Sequence, residues 1–343
     1  MSGLPPVAEA LLAPEVYPER PERVELIQTH LSFVFLAGQS VYKVKKPVNF
    51  GFVDFTTVER RRYFCQQEVE LNRRLAPTVY LGVVEITRGE DGRLALGGEG
   101  ETVEYAVHMK RLPMERTLDR LLERREATAA MLDEVARKLV DFHRSSRGNQ
   151  EVASFGDIPT IAQNTEENFA QVERYVGISI PPHAQELIKA YTRAFLKEKA
   201  PLFKMRLAQG RIRDCHGDLH SAHICLADEV YIFDCIEFND RFRYCDVASE
   251  VAFLAMDLDY HGRPDLASRF VQTYVELSED EGLPTVLDFY KCYRAYVRGK
   301  VESLKLDDPA VPEEEKAEGL ARAQRYFELA CTYASAEGCR REP

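Results

Sequence analysis

The sequence predicts an α+β chain of two unequal parts, a small antiparallel strand-rich lobe followed by a larger, mainly helical one. Three observations carry this expectation. The 343 residues exceed what one hydrophobic core usually organises. β-Branched and aromatic runs broken by tight turns fill the stretch from Val24 to Phe55. Beyond Pro113, apolar residues recur at helical spacing through most of the chain. The boundaries read as 1–109 for the first lobe, 110–113 for a hinge and 114–343 for the second lobe. Two lobes imply a cleft.

The first three strands are expected at Val24–Ile27, Leu31–Leu36 and Ser40–Lys45, with Gly38-Gln39 turning the second into the third. From Thr57 to Leu75 the spacing of Phe64, Val69, Leu71 and Leu75 predicts a helix, on which Glu68 and Glu70 ride. Strands return at Val79–Ile86 and Thr102–Met109, flanking a glycine-rich hairpin from Gly89 to Gly100. Helices are then expected over Thr128–His143, Ala184–Ala200, Ala248–Met256, Arg263–Leu277 and Tyr290–Leu306. A final helix opens after Pro312, where Glu313, Glu314 and Glu315 suit the positive end of the helix dipole.

With 45% hydrophobic and 29% charged residues, the composition is that of a folded globular protein. A net charge of -11 argues against a nucleic-acid partner, because neutralising phosphate backbones takes a surplus of Lys and Arg. No apolar run approaches the roughly 18 residues that span a bilayer. No basic residue precedes Leu11-Leu12, so an export signal is not expected and the cytoplasm is the predicted location. The eight cysteines are scattered, with no Cys-x-x-Cys pair, and read as reduced thiols rather than as a disulfide framework or zinc module.

The densest chemical signal is Cys215-His216-Gly217-Asp218-Leu219-His220-Ser221-Ala222-His223, followed by the apolar strand Val230–Phe233 and Asp234. An acid in a loop and a second acid at a strand end suit phosphoryl transfer. That reaction asks mainly that phosphate, attacking oxygen and metal be aligned and their charge neutralised. Asp218 fits the carboxylate facing a hydroxyl. Asp234 fits the one facing Mg²⁺, which prefers hard oxygen ligands.

These residues resemble the aminoglycoside phosphotransferase and choline-kinase-like branch of the protein-kinase fold, whose loop reads His-Gly-Asp-x-x-x-x-Asn ahead of an Ile-Asp metal strand. The resemblance implies a bilobal kinase-like fold, ATP and Mg²⁺ as cofactors, and a hydroxyl-bearing, small-molecule acceptor. It implies Asp218 as the catalytic aspartate, His216 as a loop-bracing residue and Asp234 as the magnesium ligand. Position 223, where the family has a metal-binding Asn, is His223, a donor better suited to softer transition metals.

By the same resemblance, a strand lysine contacts the nucleotide phosphates and pairs with a helix glutamate. Lys43 and Lys45 lie two apart and share a face, so either fits, with Lys45 preferred on the apolar-x-apolar-Lys pattern. Glu68 is the expected partner and Glu70 the alternative. Met109 and Arg111 are expected near the adenine base. The Thr29–Ser32 turn is the candidate phosphate-facing turn, and Asp246 the candidate brace of the catalytic loop. Glu237 either touches the metal or the acceptor or is an exposed loop carboxylate, with the exposed carboxylate preferred. Asp257 and Asp259 either terminate their helix or line an acceptor pocket, with structure preferred.

The chain further resembles an uncharacterised bacterial subgroup of these kinases, through Tyr42–Phe52 and Tyr293–Lys300. Some members of that subgroup carry a P-loop ATPase domain, which is not expected here because the 343 residues contain no Gly-x-x-x-x-Gly-Lys-Ser/Thr segment. Two rival readings differ in class. One is a nucleotide-binding regulator without turnover, motivated by His223. The other is a metallohydrolase on His216, His220 and His223, opposed by Gly217 in what would have to be a helix.

Overall fold

In the computed structural model, which describes residues 4–309 and 311–339, the chain divides into two units. One comprises residues up to Arg116 together with Ala227–Asp240; the other comprises Thr117–Leu226 and the residues from Arg241 onward. The segment 227–240, which sequence reading put in the second lobe, thus packs with the first. No described helix is long and apolar enough to cross a membrane.

The first unit opens with α1 (Pro6–Ala10) and continues into β1 (Val24–Gln28), β2 (Ser32–Ala37) and β3 (Ser40–Lys45), an antiparallel meander in the predicted positions. Helix α2 (Val58–Asn72) starts where the Thr57 hydroxyl accepts the Arg60 N–H. Strands β4 (Tyr80–Arg88), β5 (Leu94–Leu96) and β6 (Glu101–Lys110) complete a six-stranded sheet in the order β1-β2-β3-β6-β4-β5. Sequence reading missed β5, three residues enclosed by glycine-rich turns and too short to show alternation.

Alternation along β3 decides what each sheet face does. Tyr42 and Val44 join Phe33, Phe35, Ile86 and Ala106 in a core closed by Ala8, Leu11, Val16 and Tyr17 from the N-terminal segment. Lys43 and Lys45 therefore project from the opposite face, toward α2. A strand with one apolar face and one cationic face follows directly from the Ser-Val-Tyr-Lys-Val-Lys spacing.

The second unit begins with α3 (Leu118–Glu123), α4 (Ala129–Ser145), α5 (Gln150–Ser154), α6 (Ile158–Val172), α7 (Pro182–Glu198) and α8 (Ala200–Ala208). Strands β7 (Ile212–Asp214) and β8 (Ile224–Leu226) bracket the His216–His223 loop, and β9 (Val230–Ile232) returns to the first unit. After α9 (Asp240–Arg243), β10 (Tyr244–Asp246) pairs antiparallel with β7.

The unit is completed by α10 (Val247–Tyr260), α11 (Pro264–Ser278), α12 (Leu283–Leu304) and α13 (Glu313–Cys339). Helix α10 is buried from Val247 to Leu258 and packs on both α11 and α12. Helix α6 escaped sequence reading because its buried stripe mixes Thr165 and Asn168 with Phe169 and Val172, which blurs the apolar period. The seven cysteines with described side chains are free thiols; Cys339 lies outside them.

Candidate active site

In the first unit, the two lysines of β3 converge on one helix carboxylate. Lys43 Nζ lies 2.8 Å from Glu68 Oε1, and Lys45 Nζ lies 2.7 Å from Glu68 Oε2. Each lysine then reaches a further acid in the 227–240 segment: Lys43 donates to Asp234 Oδ1 at 2.6 Å, and Lys45 donates to Glu237 Oε1. Glu68 is fully buried, whereas Glu70 is exposed.

The two lysines differ in access. The Lys45 side chain is 1% exposed and lies over the Phe55 ring, while Lys43 is 15% exposed and its partner Asp234 is 43% exposed. Burial opposes the charge on both lysines, but Asp234, Glu68 and Glu237 around Lys43, and Glu237 and Glu68 around Lys45, outweigh it and raise both. For Glu68, the two ammonium groups outweigh burial and hold the carboxyl below its ordinary range. For Glu237, burial wins and raises the carboxyl. Glu237 is therefore a buried partner of Lys45, which corrects its reading as an exposed loop acid.

Asp234 sits at φ +62°, in the left-handed region that aspartate tolerates better than most residues. The neighbouring backbone is pinned: Asp234 N–H donates to the Tyr80 hydroxyl at 3.1 Å, and Cys235 N–H donates to Asn72 Oδ1 at 2.8 Å. Asn72 in turn donates to the Glu68 carbonyl at 2.9 Å, so α2 fixes both the glutamate and the aspartate. Tyr80 and Asn72 carried no signal in the sequence, since a strand tyrosine and a helix asparagine are unremarkable until the chain folds.

In the second unit, the 215–223 loop is held by its backbone. Glu250 Oε1 accepts the N–H groups of His216 and Gly217 at 2.6 and 2.8 Å, and the Gly217 carbonyl accepts from Arg294 Nη1 at 3.0 Å. Gly217 adopts φ +90°, which frees the loop to turn where a side chain would strain it. The buried His216 ring accepts the Asp218 N–H at Nδ1, 3.3 Å away. Ser221 donates from both its N–H and its hydroxyl to Asp257 Oδ2, at 2.8 and 2.5 Å.

Asp218 is thereby presented at the loop tip with its side chain 33% exposed. Burial pushes its carboxyl up, but His220, His223 and Arg298 together hold it far below the usual carboxylate range. It is ionised at neutral pH. His223 Nδ1 donates to the Asp218 carbonyl at 2.9 Å.

Other candidates take different places. Asp246 caps α10 through Ala248 N–H and forms a two-point ion pair with buried Arg206, at 2.6 and 2.7 Å. The loop's brace is Glu250 instead, one helical turn onward. Its signal was available, because a glutamate inside the apolar run Val247–Leu258 is a buried charge that must have a partner. Asp259 pairs with Lys291 and Tyr333, and Asp257 with Ser221. Arg111 reaches the β2–β3 turn, its backbone N–H donating to the Gln39 carbonyl and its Nη1 to that of Gly38 at 3.4 Å. Met109 lies at the end of β6, paired with Val41 and Tyr80. The Thr29–Ser32 turn uses the amides of Thr29, Leu31 and Ser32 internally.

Glu250 supports a prediction of acid sensitivity. Burial raises its carboxyl, but the hydrogen bond and charge of His143, the charge of His216 and the Gly217 amide outweigh burial and bring it down to about 2. A depressed value stabilises the fold fully above about pH 4.5, and that contribution, on the order of 3 kcal/mol, is lost as pH falls toward about 2. Urea unfolding from pH 7 to 3 is expected to show Glu250→Gln less stable at pH 7, with a shallower loss in acid than the wild type. Equal pH slopes would contradict this.

Uncharacterised proteins of Mycobacterium tuberculosis and Mycobacterium bovis are each 33% identical over 308 residues, covering 90% of this chain and 59% of their own length. The chain thus spans about 59% of the length of these curated relatives. A choline/ethanolamine kinase family protein from Mesorhizobium loti superposes with a TM-score of 0.50 at 12% identity, covering 96% of this chain and 98% of that one, and so shares the fold. Residues 56–290, which hold Glu68, Asp218, Asp234 and Glu250 alike, match the profile of the phosphotransferase enzyme family, and the chain belongs to that family.

Proposed function

We propose that the chain transfers the γ-phosphate of ATP to a hydroxyl of a small-molecule acceptor in a magnesium-dependent reaction. The observation that carries this reading is the run of ion pairs from Glu68 through Lys43 to Asp234. It places one cation and one accessible carboxylate side by side, as a phosphate and its metal require.

The residues present fit both groups. Two lysines face three carboxylates, Glu68, Asp234 and Glu237, leaving an acid surplus that favours a dication, and Asp234 is its accessible oxygen donor. Bound there, Mg²⁺ supplies charge neutralisation for the transferring phosphoryl group. Lys43 is the phosphate-contacting lysine, because it is the one with solvent access. Lys45 holds Glu68 and Glu237 in place. Met109, at the strand end, faces the base. Asp218, ionised and set on a rigid loop, accepts the hydrogen bond of the acceptor hydroxyl and orients its oxygen. His216 fixes the Asp218 backbone.

Calorimetric titration with ATP tests the first unit's part. Mg²⁺ is expected to tighten binding, and Asp234→Asn to remove that gain, by about tenfold or more. Binding indifferent to Mg²⁺ in the wild type would contradict the assignment.

A further inference from the structure

The loop bearing Asp218 also carries two imidazoles that magnesium chemistry does not need. His220 Nε2 and His223 Nδ1 each lie 3.6 Å from Asp218 Oδ2, and ligand atoms of the three side chains fall within 4.8 Å of one another. A tetrahedral ion with bonds of ~2.1 Å has ligand–ligand edges of ~3.4 Å. The carboxylate–imidazole separations therefore need only a small adjustment to close on a metal.

The surroundings hold this arrangement in place. The two imidazole rings have centroids 4.0 Å apart, and His220 also packs against Phe253 at 5.8 Å. Asp257, which fixes Ser221 between the two histidines, also acts electrostatically on His220. The charges of Asp218 and Asp257 exceed that of Arg298, the cation acting on both, so with neutral imidazoles the cluster is net negative. The Asp218 side chain, 33% exposed, leaves a side open for a fourth ligand.

Donor type selects the ion. Magnesium takes oxygen ligands in octahedral geometry, whereas two imidazoles and a carboxylate suit zinc and its neighbours. His223 Nδ1 now donates to the Asp218 carbonyl. Ligation through that atom exchanges this hydrogen bond for a metal bond and moves the ring proton to Nε2.

We propose that Asp218, His220 and His223 form a three-ligand site for a transition-metal dication such as Zn²⁺, and that the bound ion switches phosphoryl transfer off by occupying the carboxylate that orients the acceptor. The site stands on geometry alone; the switch rests on the phosphotransferase reading.

Cobalt chloride titrated into the full chain in excess Mg²⁺ tests the site without any assay of activity. Saturable visible absorption of low-coordinate Co²⁺, displaced by Zn²⁺, is expected at one ion per chain. His220→Ala and the near-isosteric His223→Asn are each expected to weaken binding about 10–100-fold with unchanged circular dichroism. Absence of saturable absorption, or wild-type affinity retained in both variants, overturns the site. Where wild-type transfer is measurable, Zn²⁺ is expected to inhibit it in step with occupancy, and full transfer at full occupancy overturns the switch. Cobalt binding lost in the variants, with no transfer under any Mg²⁺-ATP condition, upholds the site and counts against the phosphotransferase reading and the switch with it.

Discussion

Asp218→Asn is expected to lower phosphoryl transfer by about 10²–10⁴-fold while leaving ATP affinity within about twofold. The asparagine keeps the side chain's shape and its place beside His220 and His223 but cannot accept a proton or orient a hydroxyl as a carboxylate does. The loop itself should survive the change. Its backbone is fixed by Glu250, Arg294 and Asp257, none of which bonds the Asp218 carboxylate. Single-turnover transfer alongside calorimetric ATP binding separates the two effects. Transfer equal to the wild type would remove Asp218 from the reaction.

The two lysines of β3 are expected to fail in opposite ways. Lys45→Met leaves Glu68 and Glu237 buried with one cation fewer, and the loss of a buried partner typically costs about 3–5 kcal/mol. Lys43→Met removes a lysine with solvent access whose second partner, Asp234, is 43% exposed and so is left partly solvated, and its stability cost is smaller. Its cost to kcat/KM for ATP is larger, on the order of 10²-fold, as for loss of one preorganised donor. Adding Glu237→Gln to Lys45→Met is expected to restore part of the lost stability, because it neutralises one stranded acid. Urea midpoints and steady-state kinetics on the three variants and the wild type check this, and a larger stability loss from Lys43→Met than from Lys45→Met would reverse the assignment.

The fold was legible wherever one period dominated. Strands β1 to β3 and helices α4, α10 and α11 present clean alternation or helical spacing and appear within a few residues of their expected positions, whereas α12 starts at Leu283, about two turns ahead of its expected start at Tyr290. Legibility failed for α6, with its mixed stripe, and for β5, with three residues. In the site, sequence spacing placed Lys43 and Lys45 on one face, and the family pattern preferred Lys45 for the phosphates; the proposal reverses that preference to Lys43, because solvent access depends on Asp234 and Glu237, nearly two hundred residues away.

Asp246 drew attention through its position ahead of a hydrophobic helix, yet it serves as that helix's cap. The stronger clue was Glu250, a charge within an apolar run, whose burial is possible only because two backbone amides and His143 satisfy it. The fork of Glu68 between two lysines shows the same principle in the other unit. In both, an acid that burial would neutralise stays ionised because donors surround it.

The most direct measurement is transfer of label from γ-³²P-ATP to a pool of hydroxyl-bearing small molecules, with and without Mg²⁺, by wild-type protein and Asp218→Asn in parallel. The expected result is a labelled small molecule formed only with Mg²⁺ and only by the wild type. Label appearing equally with Asp218→Asn, or equally without a divalent ion, would contradict the account.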